Sequence, residues 1–508
     1  MWLWTVALLV VSAIAQRCPS YSSYSRQRHG PFSAGAYQLS YQRPAPACRT
    51  FNSSAVEGAI GRMQSLIKDP DLFRLFENSF PNTLDTTIAW KGFAANNSDE
   101  DLCFIITGDI NAMWLRDSAN QMQSYRSILN SPEDDIASLY RGVINLQARY
   151  LNEAPYCNAF LPPPESGIAF SPNGAGYVVT PSYDNRVVFS CNFELDSFAA
   201  FLEISHDYYN ATQDIDFFGK FQWIAAVQSL LGVATDMMEP TYAPDGAALG
   251  STYTFQVSTM SFTGTLGNFG LGNPTNRTGL VRSPFRPSDD TSVFEFLVPA
   301  NAMFARYLET GAEIMDLLPN APRGLARQMS DMAASLRAAI DQYAIVPSPS
   351  DGQTTIYAYE VDGFGGRILM DDANIPSLLS LPFLGYLDRD DPIYQNTRQF
   401  VLSSGNPWFS RGPVISAVGG PHIRPGTAWP MASIARILTS DDDEEIVGQL
   451  QELVSSTDGL GLIHESINTF DQSRWTRQWF SWANGLFGQM ILDLAVNKPG
   501  LLARSFQP

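Results

Sequence analysis

The chain has 508 residues, of which 45% are apolar and only 16% are charged. This composition supplies enough apolar surface for a sizeable core and excludes a solvated, disordered polymer. The formal net charge is −19, and the 32 Lys and Arg residues form no basic run, so we expect no nucleic-acid partner.

The first residues predict an export signal. An apolar run ends in Ala13-Ile14-Ala15, the small-residue pattern that signal peptidase recognises, and polar Gln16 follows. The run is shorter than the roughly 20 apolar residues of a membrane-spanning helix. We therefore expect residues 1–15 to be removed. The mature chain is then secreted, in the extracellular space or a cell wall, without a membrane segment.

Four Asn-x-Ser/Thr triplets agree with export and mark candidate N-glycosylation sites. They begin at Asn52, Asn96, Asn210 and Asn276. Five cysteines lie at positions 18, 48, 103, 157 and 191. Because an odd number cannot pair completely within one chain, we expect one or two disulfides.

Helical periodicity dominates after an irregular N-terminal arm. Residues 16–50 are rich in Ser, Tyr, Pro, Gln and Arg and lack apolar periodicity, which is typical of an arm before a folded domain. Apolar residues recur at helical spacing beyond it, so a single folded domain is expected over residues 51–508. Helices are predicted at 56–67, 71–80, 113–130, 134–151, 194–209, 214–232, 297–317, 324–344, 375–383, 442–455 and 475–494.

Short β-like runs are few. They are bounded by turn residues and lie at 86–90, 102–107, 177–180 and 252–257. They do not alternate with the helices, which disfavours a Rossmann or TIM-type parallel sheet. Helices joined in pairs instead favour an all-α toroid with a few short hairpins, in which loops at one end of the inner helices carry the active site.

Several families of enzymes are excluded by missing motifs. Residues 464–468 begin like the zinc-protease motif, but Asn468 stands where its second histidine is required. The chain has no GxSxG elbow, phosphate-binding loop or twelve-residue calcium loop. The cysteine and histidine spacings do not suit zinc. We therefore predict neither a metal nor an organic cofactor.

Carboxylates set among aromatic residues remain as the chemical signal. This arrangement suits a sugar site, because flat rings cover the apolar faces of sugars and charged groups bind hydroxyls. The densest stretch, residues 108–125, carries Trp114, Arg116 and Asp117. A buried Arg–Asp pair with Trp114 in the core explains this stretch equally well.

Residues 191–205 place Glu194 and Asp196 in an apolar helical run, where the two point to different helix faces. Burial raises the pKa of a carboxyl group, as a general acid at neutral pH requires. A helix cap or a buried, hydrogen-bonded Asp is the competing interpretation.

Four more polar stretches follow along the chain. They hold, in order, Asp289 and Asp290, Asp371 and Asp372, His422 and Trp429, and Glu465. Helix capping accounts for at least half of the polar residues in the first two stretches. The tryptophans after Glu465, at 475, 479 and 482, are interpreted as one helix face, which is more often core than sugar platform.

In this order, the six stretches resemble glycoside hydrolase family 125, exo-acting α-1,6-mannosidases of bacteria and fungi. The most specific motif is GDINAMWLRDSANQ at residues 108–121, and FRPSDD, VPAN, MDDAN and HES corroborate it. The resemblance implies a secreted, fungal-type enzyme with an (α/α)6 barrel and metal-independent, inverting hydrolysis. It also implies that the substrate is an α-1,6-linked mannooligosaccharide, mannan or N-glycan.

Carried over residue by residue, the resemblance assigns Asp196 as the general acid and Glu465 as the general base. The residues implied to bind the terminal mannose are Trp114, Arg116, Asp117, Asp371, Asp372 and His422. Two alternatives stay open: another α/α-barrel glycosidase, such as a glucosidase or trehalase, and a non-catalytic mannan-binding protein. The presence of both predicted catalytic carboxylates favours an enzyme.

Overall fold

The computed structural model describes residues 18–169, 171–261 and 263–507, so the predicted leader lies outside the described residues. The longer helices span Ser54–Leu66, Pro70–Ser79, Leu115–Gln123, Ala137–Glu153, Leu195–Thr212, Trp223–Asp236, Val298–Leu317, Leu325–Tyr343, Pro392–Val401, Pro430–Leu438, Asp443–Ser455 and Ser481–Asn497. Shorter helical turns span Tyr21–Tyr24, Pro46–Cys48, Asn82–Thr86, Arg126–Ile128, Pro164–Ser166, Ile215–Phe218, Gly267–Gly270 and Pro499–Ala503. Within the described ranges, no helix has the length and hydropathy needed to cross a membrane.

The strands are short, antiparallel and grouped in sheets of two or three. The longest hairpin pairs Ile88–Ala94 with Asn97–Ile105. The other strands span Met113–Trp114, Ala159–Phe160, Val178–Thr180, Val188–Ser190, Thr254–Gln256, Phe296–Leu297, Ile345–Pro347, Thr355–Tyr357, Glu360–Val361, Arg367–Ile368, Phe409–Ser410, Ala417–Val418, Thr427–Ala428, Ser466–Asn468 and Asp471–Thr476.

Helices alternate between an inner and an outer ring. The inner helix Leu115–Gln123 packs against Leu195–Thr212 on one side and Ser481–Asn497 on the other. Each of its nine residues is buried, as an inner helix requires. The outer helix Leu325–Tyr343 packs back on the inner helix Val298–Leu317, which immediately precedes it. The predicted (α/α)6 barrel with short hairpins is confirmed.

One predicted helix is wrong, because residues 375–383 form consecutive turns instead. The N–H of Ser377 donates to Oγ of Ser380 at 2.9 Å, and the N–H of Ser380 donates to Oγ of Ser377 at 3.2 Å. Such local side-chain bonds compete with the helical ladder. Pro382 also has no N–H to continue it.

The last predicted helix is wrong in its first turns. It begins at Ser481 rather than at 475, and Trp475 lies on the strand Asp471–Thr476. The tryptophans predicted to share one helix face therefore lie on a strand, in a connecting segment and in a helix. Helices Pro392–Val401 and Pro430–Leu438 were not predicted, whereas Val298–Leu317 matches its predicted range to within one residue.

The N-terminal arm is attached to the barrel by buried polar contacts. Nε of Arg43 lies 2.7 Å from Oδ2 of Asp85, and both side chains are almost completely buried. The disulfides among the described residues join Cys18 to Cys48 and Cys157 to Cys191, whereas Cys103 is a buried free thiol. The four sequon asparagines at positions 52, 96, 210 and 276 are all exposed.

Candidate active site

A cavity of about 480 Å³, including its open mouth, lies where several loops meet in front of the inner helices. Its wall is built from residues within 107–117, 287–289, 374, 422–429, 465 and 477–482. Three of these stretches run directly into the helices that begin at Leu115, Pro430 and Ser481.

Four aromatic side chains line the cavity: Trp114, Trp429, Phe480 and Trp482. The indole nitrogens of Trp429 and Trp482 are buried without a hydrogen-bond partner. The rings offer flat apolar surfaces next to unused donors, which is the combination that a sugar ring with its hydroxyls requires. Trp482 is buried, as the interpretation of this residue as core predicts, but its side chain also lines the cavity.

Glu465 lies at the edge of the hairpin formed by Ser466–Asn468 and Asp471–Thr476. Its N–H donates to the carbonyls of Thr476 and Arg477, each at 3.2 Å. Nη1 of Arg477 lies 3.4 Å from Oε1 of Glu465, which places a positive charge beside this carboxylate. Glu465 is 5% exposed and lines the cavity, so its carboxylate is held in a fixed position at the cavity wall.

Asp289 also lines the cavity, from the motif FRPSDD. It has a left-handed backbone with φ of 65°, in a tight turn closed by its N–H to the carbonyl of Arg286 at 2.9 Å. Its Oδ1 accepts from Nε1 of Trp114 and from Nδ2 of Asn158, both at 3.3 Å. From the sequence, Ser288, Asp289 or Asp290 was a candidate helix cap, but the structure turns the side chain of Asp289 toward the cavity.

The loop that carries Asp289 is anchored from behind by a buried ion pair. Nε of Arg286 donates to Oε1 of Glu360 at 2.6 Å. The second oxygen of Glu360 accepts from the N–H groups of Val293 and Phe294, each at 2.9 Å. This network joins Arg286, near the start of the FRPSDD turn, to residues 293–294, which follow the turn.

Arg116 lies at the inner end of the cavity and forms ion pairs with buried carboxylates. Its Nη1 lies 2.5 Å from Oε2 of Glu194 and 3.0 Å from Oδ2 of Asp196. Its Nη2 lies 3.4 Å from Oδ2 of Asp117. Burial raises the pKa of Asp117 to about 6, and Arg116 opposes part of this shift. Arg116 and Asp117 reach the cavity, as predicted from the sequence.

The structure does not place Asp196, the predicted general acid, in the cavity wall. Its side chain is completely buried behind Arg116. Burial raises the pKa of Asp196, as anticipated for a carboxyl in an apolar helix, and the Arg116 charge works against this shift. The neighbouring Glu194 is likewise buried, and burial raises its pKa too.

Asp371 and Asp372 were predicted to bind sugar but bind the backbone of this chain. The two oxygens of Asp371 accept from the N–H groups of Leu378 and Leu379 at 2.8 and 2.9 Å. Oδ1 of Asp372 accepts from both the backbone and the side-chain nitrogen of Asn374 at 3.1 Å. Asn374, missed in the sequence, lines the cavity in their place and is positioned by Asp372.

His422 lines the cavity, as predicted, and is paired with the second carboxylate of FRPSDD. Its Nδ1 lies 3.5 Å from Oδ2 of Asp290, which also accepts from Oγ of Ser288 at 3.0 Å. Burial alone lowers the pKa of His422, but the hydrogen bond and charge of Asp290 outweigh burial and raise it to about 9. His422 is therefore cationic at neutral pH.

Metal ligands are not assembled in the part of the chain that the structure describes, where no group of three His, Cys, Asp or Glu side chains is arranged to hold an ion. The charged groups that line the cavity are instead three carboxylates, from Asp117, Asp289 and Glu465, and three basic side chains, from Arg116, His422 and Arg477, beside the four aromatic rings. A pair of carboxylates flanking a site with sugar-binding rings is suited to hydrolysis of a glycosidic bond.

Known proteins and one family profile match the chain. The profile described as metal-independent α-mannosidase, glycoside hydrolase family 125, matches residues 69–492. The meiotically up-regulated gene 157 protein of Schizosaccharomyces pombe (strain 972 / ATCC 24843) is 46% identical over 491 residues, which cover 96% of this chain and 94% of that protein.

A solved structure from Streptococcus pneumoniae is similar in both sequence and fold. It is a metal-independent α-mannosidase in a non-productive complex with α-1,6-mannobiose, and it is 30% identical to this chain. The match covers 87% of this chain and 99% of the other, with a TM-score of 0.77. The chain therefore belongs to glycoside hydrolase family 125, the metal-independent α-mannosidases, and is a glycoside hydrolase.

Proposed function

We propose that this chain is an exo-acting, inverting α-1,6-mannosidase with Asp289 as general acid and Glu465 as general base. The observation that carries the proposal is that these two carboxylates line the same aromatic cavity. Inverting glycosidases use one carboxyl group to protonate the leaving oxygen and another to activate water. The linkage is supported by the S. pneumoniae relative, whose complex contains α-1,6-mannobiose.

The acid role moves from Asp196 to Asp289 because a general acid must approach the glycosidic oxygen to hydrogen-bond distance. Asp196 has no exposed surface and lies behind Arg116, out of reach of a sugar in the cavity. Asp289 lines the cavity and is oriented by donors on Trp114 and Asn158. In this proposal Asp196 supports Arg116 and does not touch the substrate.

The reaction is a single displacement. The carboxyl proton of Asp289 passes to the glycosidic oxygen as the bond from the anomeric carbon to that oxygen breaks. Glu465 accepts a proton from a water molecule, whose oxygen bonds to the anomeric carbon from the opposite face. An α-linked substrate therefore releases β-mannose, and exchange with solvent returns the proton to Asp289.

Exo action is supported by the inner end of the cavity. Arg116 and Trp482 line it although they are only 2% and 1% exposed, and the guanidinium carbon lies 5.7 Å from the centre of the indole ring. These two side chains end the cavity inside the barrel. A pocket with a closed inner end admits the terminus of a glycan and excludes an internal sugar.

The test of this proposal is a panel of α-1,2-, α-1,3- and α-1,6-mannobioses together with NMR of the first product. We expect hydrolysis of the α-1,6 isomer well above the other two, with β-mannose as the first anomer released. Preferential cleavage of another linkage would contradict the specificity. Initial release of α-mannose would contradict inversion and make Glu465 a nucleophile.

We also propose that the protein is secreted. The predicted cleavage before Gln16, two disulfides within the described residues and four exposed sequon asparagines support this location. The mature N-terminus, sequenced from secreted material, should begin at or near Gln16, and removal of N-glycans should increase electrophoretic mobility. Secreted protein that still begins with Met1 would contradict the predicted leader.

A further inference from the structure

The segment 477–480 connects the hairpin that carries Glu465 to the helix Ser481–Asn497. Its first and last residues, Arg477 and Phe480, line the cavity. Its two central residues, Gln478 and Trp479, are buried on the opposite side, against the N-terminal arm. The same four residues thus contact both the catalytic cavity and the arm.

Gln478 is bound by the arm through its side-chain amide. Nε2 donates to the carbonyl of Ser22 and to Oγ of Ser25, both at 3.0 Å. These contacts satisfy both donors of an amide nitrogen that is almost completely buried. Without the arm, the two buried donors would lose these acceptors, which is unfavourable, so the segment would rearrange to reach water.

Trp479 is held by the same short arm helix, Tyr21–Tyr24. The ring of Tyr21 meets the indole edge to face, with centroids 4.7 Å apart. Nε1 of Trp479 donates to Oδ1 of Asn82 at 2.9 Å, and Nδ2 of Asn82 lies 3.4 Å from the hydroxyl of Tyr21. Tyr21, Trp479 and Asn82 therefore form a closed set of contacts.

The arm is cross-linked by a disulfide and anchored to the barrel, so its contacts with residues 477–480 belong to an ordered segment. The Cys18–Cys48 disulfide links the residue three positions before Tyr21 to the end of the arm. The family profile begins at residue 69, so the whole arm lies outside the matched part of the chain. Nothing in the proposed reaction uses the arm directly.

The contacts reach the catalytic base through the backbone. Arg477 has a left-handed φ of 41°, which is unfavourable for a residue with a side chain and persists only when its neighbours impose it. Its carbonyl accepts the N–H of Glu465 at 3.2 Å, and the carbonyl of Gln478 lies 3.1 Å from Nδ1 of His464. A shift of residues 477–478 would therefore move both neighbours in the sequence pair His464–Glu465.

We propose that the N-terminal arm acts as a brace that positions Glu465, with Gln478 as the positioning residue that transmits its contacts. This inference rests on the proposed role of Glu465 as general base. It assigns a catalytic consequence to a part of the chain that contains no catalytic residue.

The test uses the full chain with Gln478→Met, which keeps the length of the side chain and removes its donors. We expect kcat to fall about 10- to 100-fold, because a misplacement of about 1 Å is enough to cause such a loss. KM should change little, since the aromatic cavity remains. The loss of kcat should be the same for α-1,6-mannobiose and for an aryl α-mannoside with a good leaving group. A good leaving group replaces the need for an acid, but it does not replace the base that activates water.

Arg74→Met is the matched control. Arg74 donates to the carbonyl of Leu39 at 3.2 Å, so its loss loosens the arm at a contact that does not involve residues 477–480. It should destabilise the protein without the kcat loss. Ser25→Ala, which leaves Gln478 one of its two acceptors, is the milder second variant and should lower kcat by a smaller factor than Gln478→Met.

A folded Gln478→Met protein with wild-type kcat would overturn the brace, as would a loss no larger than that of Arg74→Met at equal thermal stability. If Gln478→Met does not fold, wild-type kcat in Ser25→Ala would overturn it. Restoration of the Gln478→Met rate by a good leaving group would place the defect at the acid and also overturn it. Absence of α-mannosidase activity in the wild-type chain would instead refute the proposed function.

Discussion

We predict that Asp289→Asn and Asp196→Asn damage the protein in different ways, one through catalysis and the other through stability. Asp289→Asn removes the proton that the leaving oxygen needs, so kcat for α-1,6-mannobiose should fall by about 10²- to 10⁴-fold. The fold should survive, because the amide oxygen of Asn can still accept from Trp114 and Asn158, which bind Oδ1 of Asp289 at 3.3 Å.

Asp196→Asn acts on a completely buried ion pair. Removing one partner of such a pair costs about 3–5 kcal/mol when the remaining charge has no other partner. Arg116 keeps Glu194 at 2.5 Å, so the loss should be smaller and close to a single charged hydrogen bond, about 1–3 kcal/mol. Any loss of kcat should come from displacement of Arg116 and be smaller than that of Asp289→Asn.

Two measurements separate the variants. Urea unfolding gives the change in free energy, and kcat is measured with α-1,6-mannobiose and with 2,4-dinitrophenyl α-mannoside. A good leaving group needs no proton, so the second substrate should restore most of the rate to Asp289→Asn and none to Asp196→Asn. The opposite pattern, with Asp196→Asn restored and Asp289→Asn close to wild type, would return the acid role to Asp196 and refute the argument from burial.

Three further predictions concern other features of the chain. Asp290 raises the pKa of His422 from its unfolded value of about 6.5 to about 9, so the pairing of His422 with Asp290 should stabilise the fold fully below about pH 6.5 and lose this effect as the pH rises through about 9. The difference in thermal midpoint between wild type and His422→Asn should therefore shrink over that range. A constant difference would contradict the pairing. Gly142→Ala should lower the free energy of unfolding, measured in urea, by about 1–3 kcal/mol, since the added Cβ would lie 2.7 Å from Cβ of Cys103. Gly448→Ala is the control and should not lower it, because Gly448 lies at an exposed helical position with no neighbour within 4 Å. Dialysis against a chelator should leave kcat unchanged, as expected for a family described as metal-independent, and a loss restored by calcium or zinc would contradict this.

Helix existence was predictable from the sequence wherever apolar periodicity and capping agreed. Val298–Leu317 shows this, since Pro299 in its first turn and a long apolar stripe define it within one residue of the predicted range. Prediction failed where side chains offer the backbone other partners. Residues 375–383 have helical periodicity, but the two serines and Asp371 bind N–H groups there and hold the segment in turns.

Trp114, Arg116 and His422 were predicted from the sequence, whereas Arg477, Phe480 and the choice among the carboxylates were not. Glu465 and His422 lie in loops and line the cavity, as predicted. Asp196 and Asp371 are carboxyl groups in apolar surroundings, which is the criterion applied to the sequence. Their complete burial, however, keeps both side chains out of the cavity wall. A sequence shows which carboxylates are surrounded by apolar residues, but tertiary packing decides which of them face a cavity.

One local signal points to Asp289 in retrospect. In Pro287-Ser288-Asp289-Asp290, a tight turn requires a left-handed residue, and Asp tolerates that conformation better than most residues. The sequence interpretation used the same residues as helix caps. Helix capping and turn formation use the same residue types. The two interpretations are distinguished by the distance to the next helix, which begins only at Val298.

Both proposed catalytic carboxylates depend on a non-glycine residue with a positive φ, Asp289 itself and Arg477 behind Glu465. Such conformations are unfavourable and are maintained only by the surrounding structure. For Asp289 the support is the buried pair of Arg286 with Glu360, which belongs to the barrel. For Glu465 it includes Gln478 and its contacts with the N-terminal arm. In the proposed assignment, the acid is held by contacts within the barrel, whereas the base is also held through contacts with the arm. Loss of the contacts between the arm and Gln478 should therefore impair activation of water while protonation of the leaving oxygen is retained.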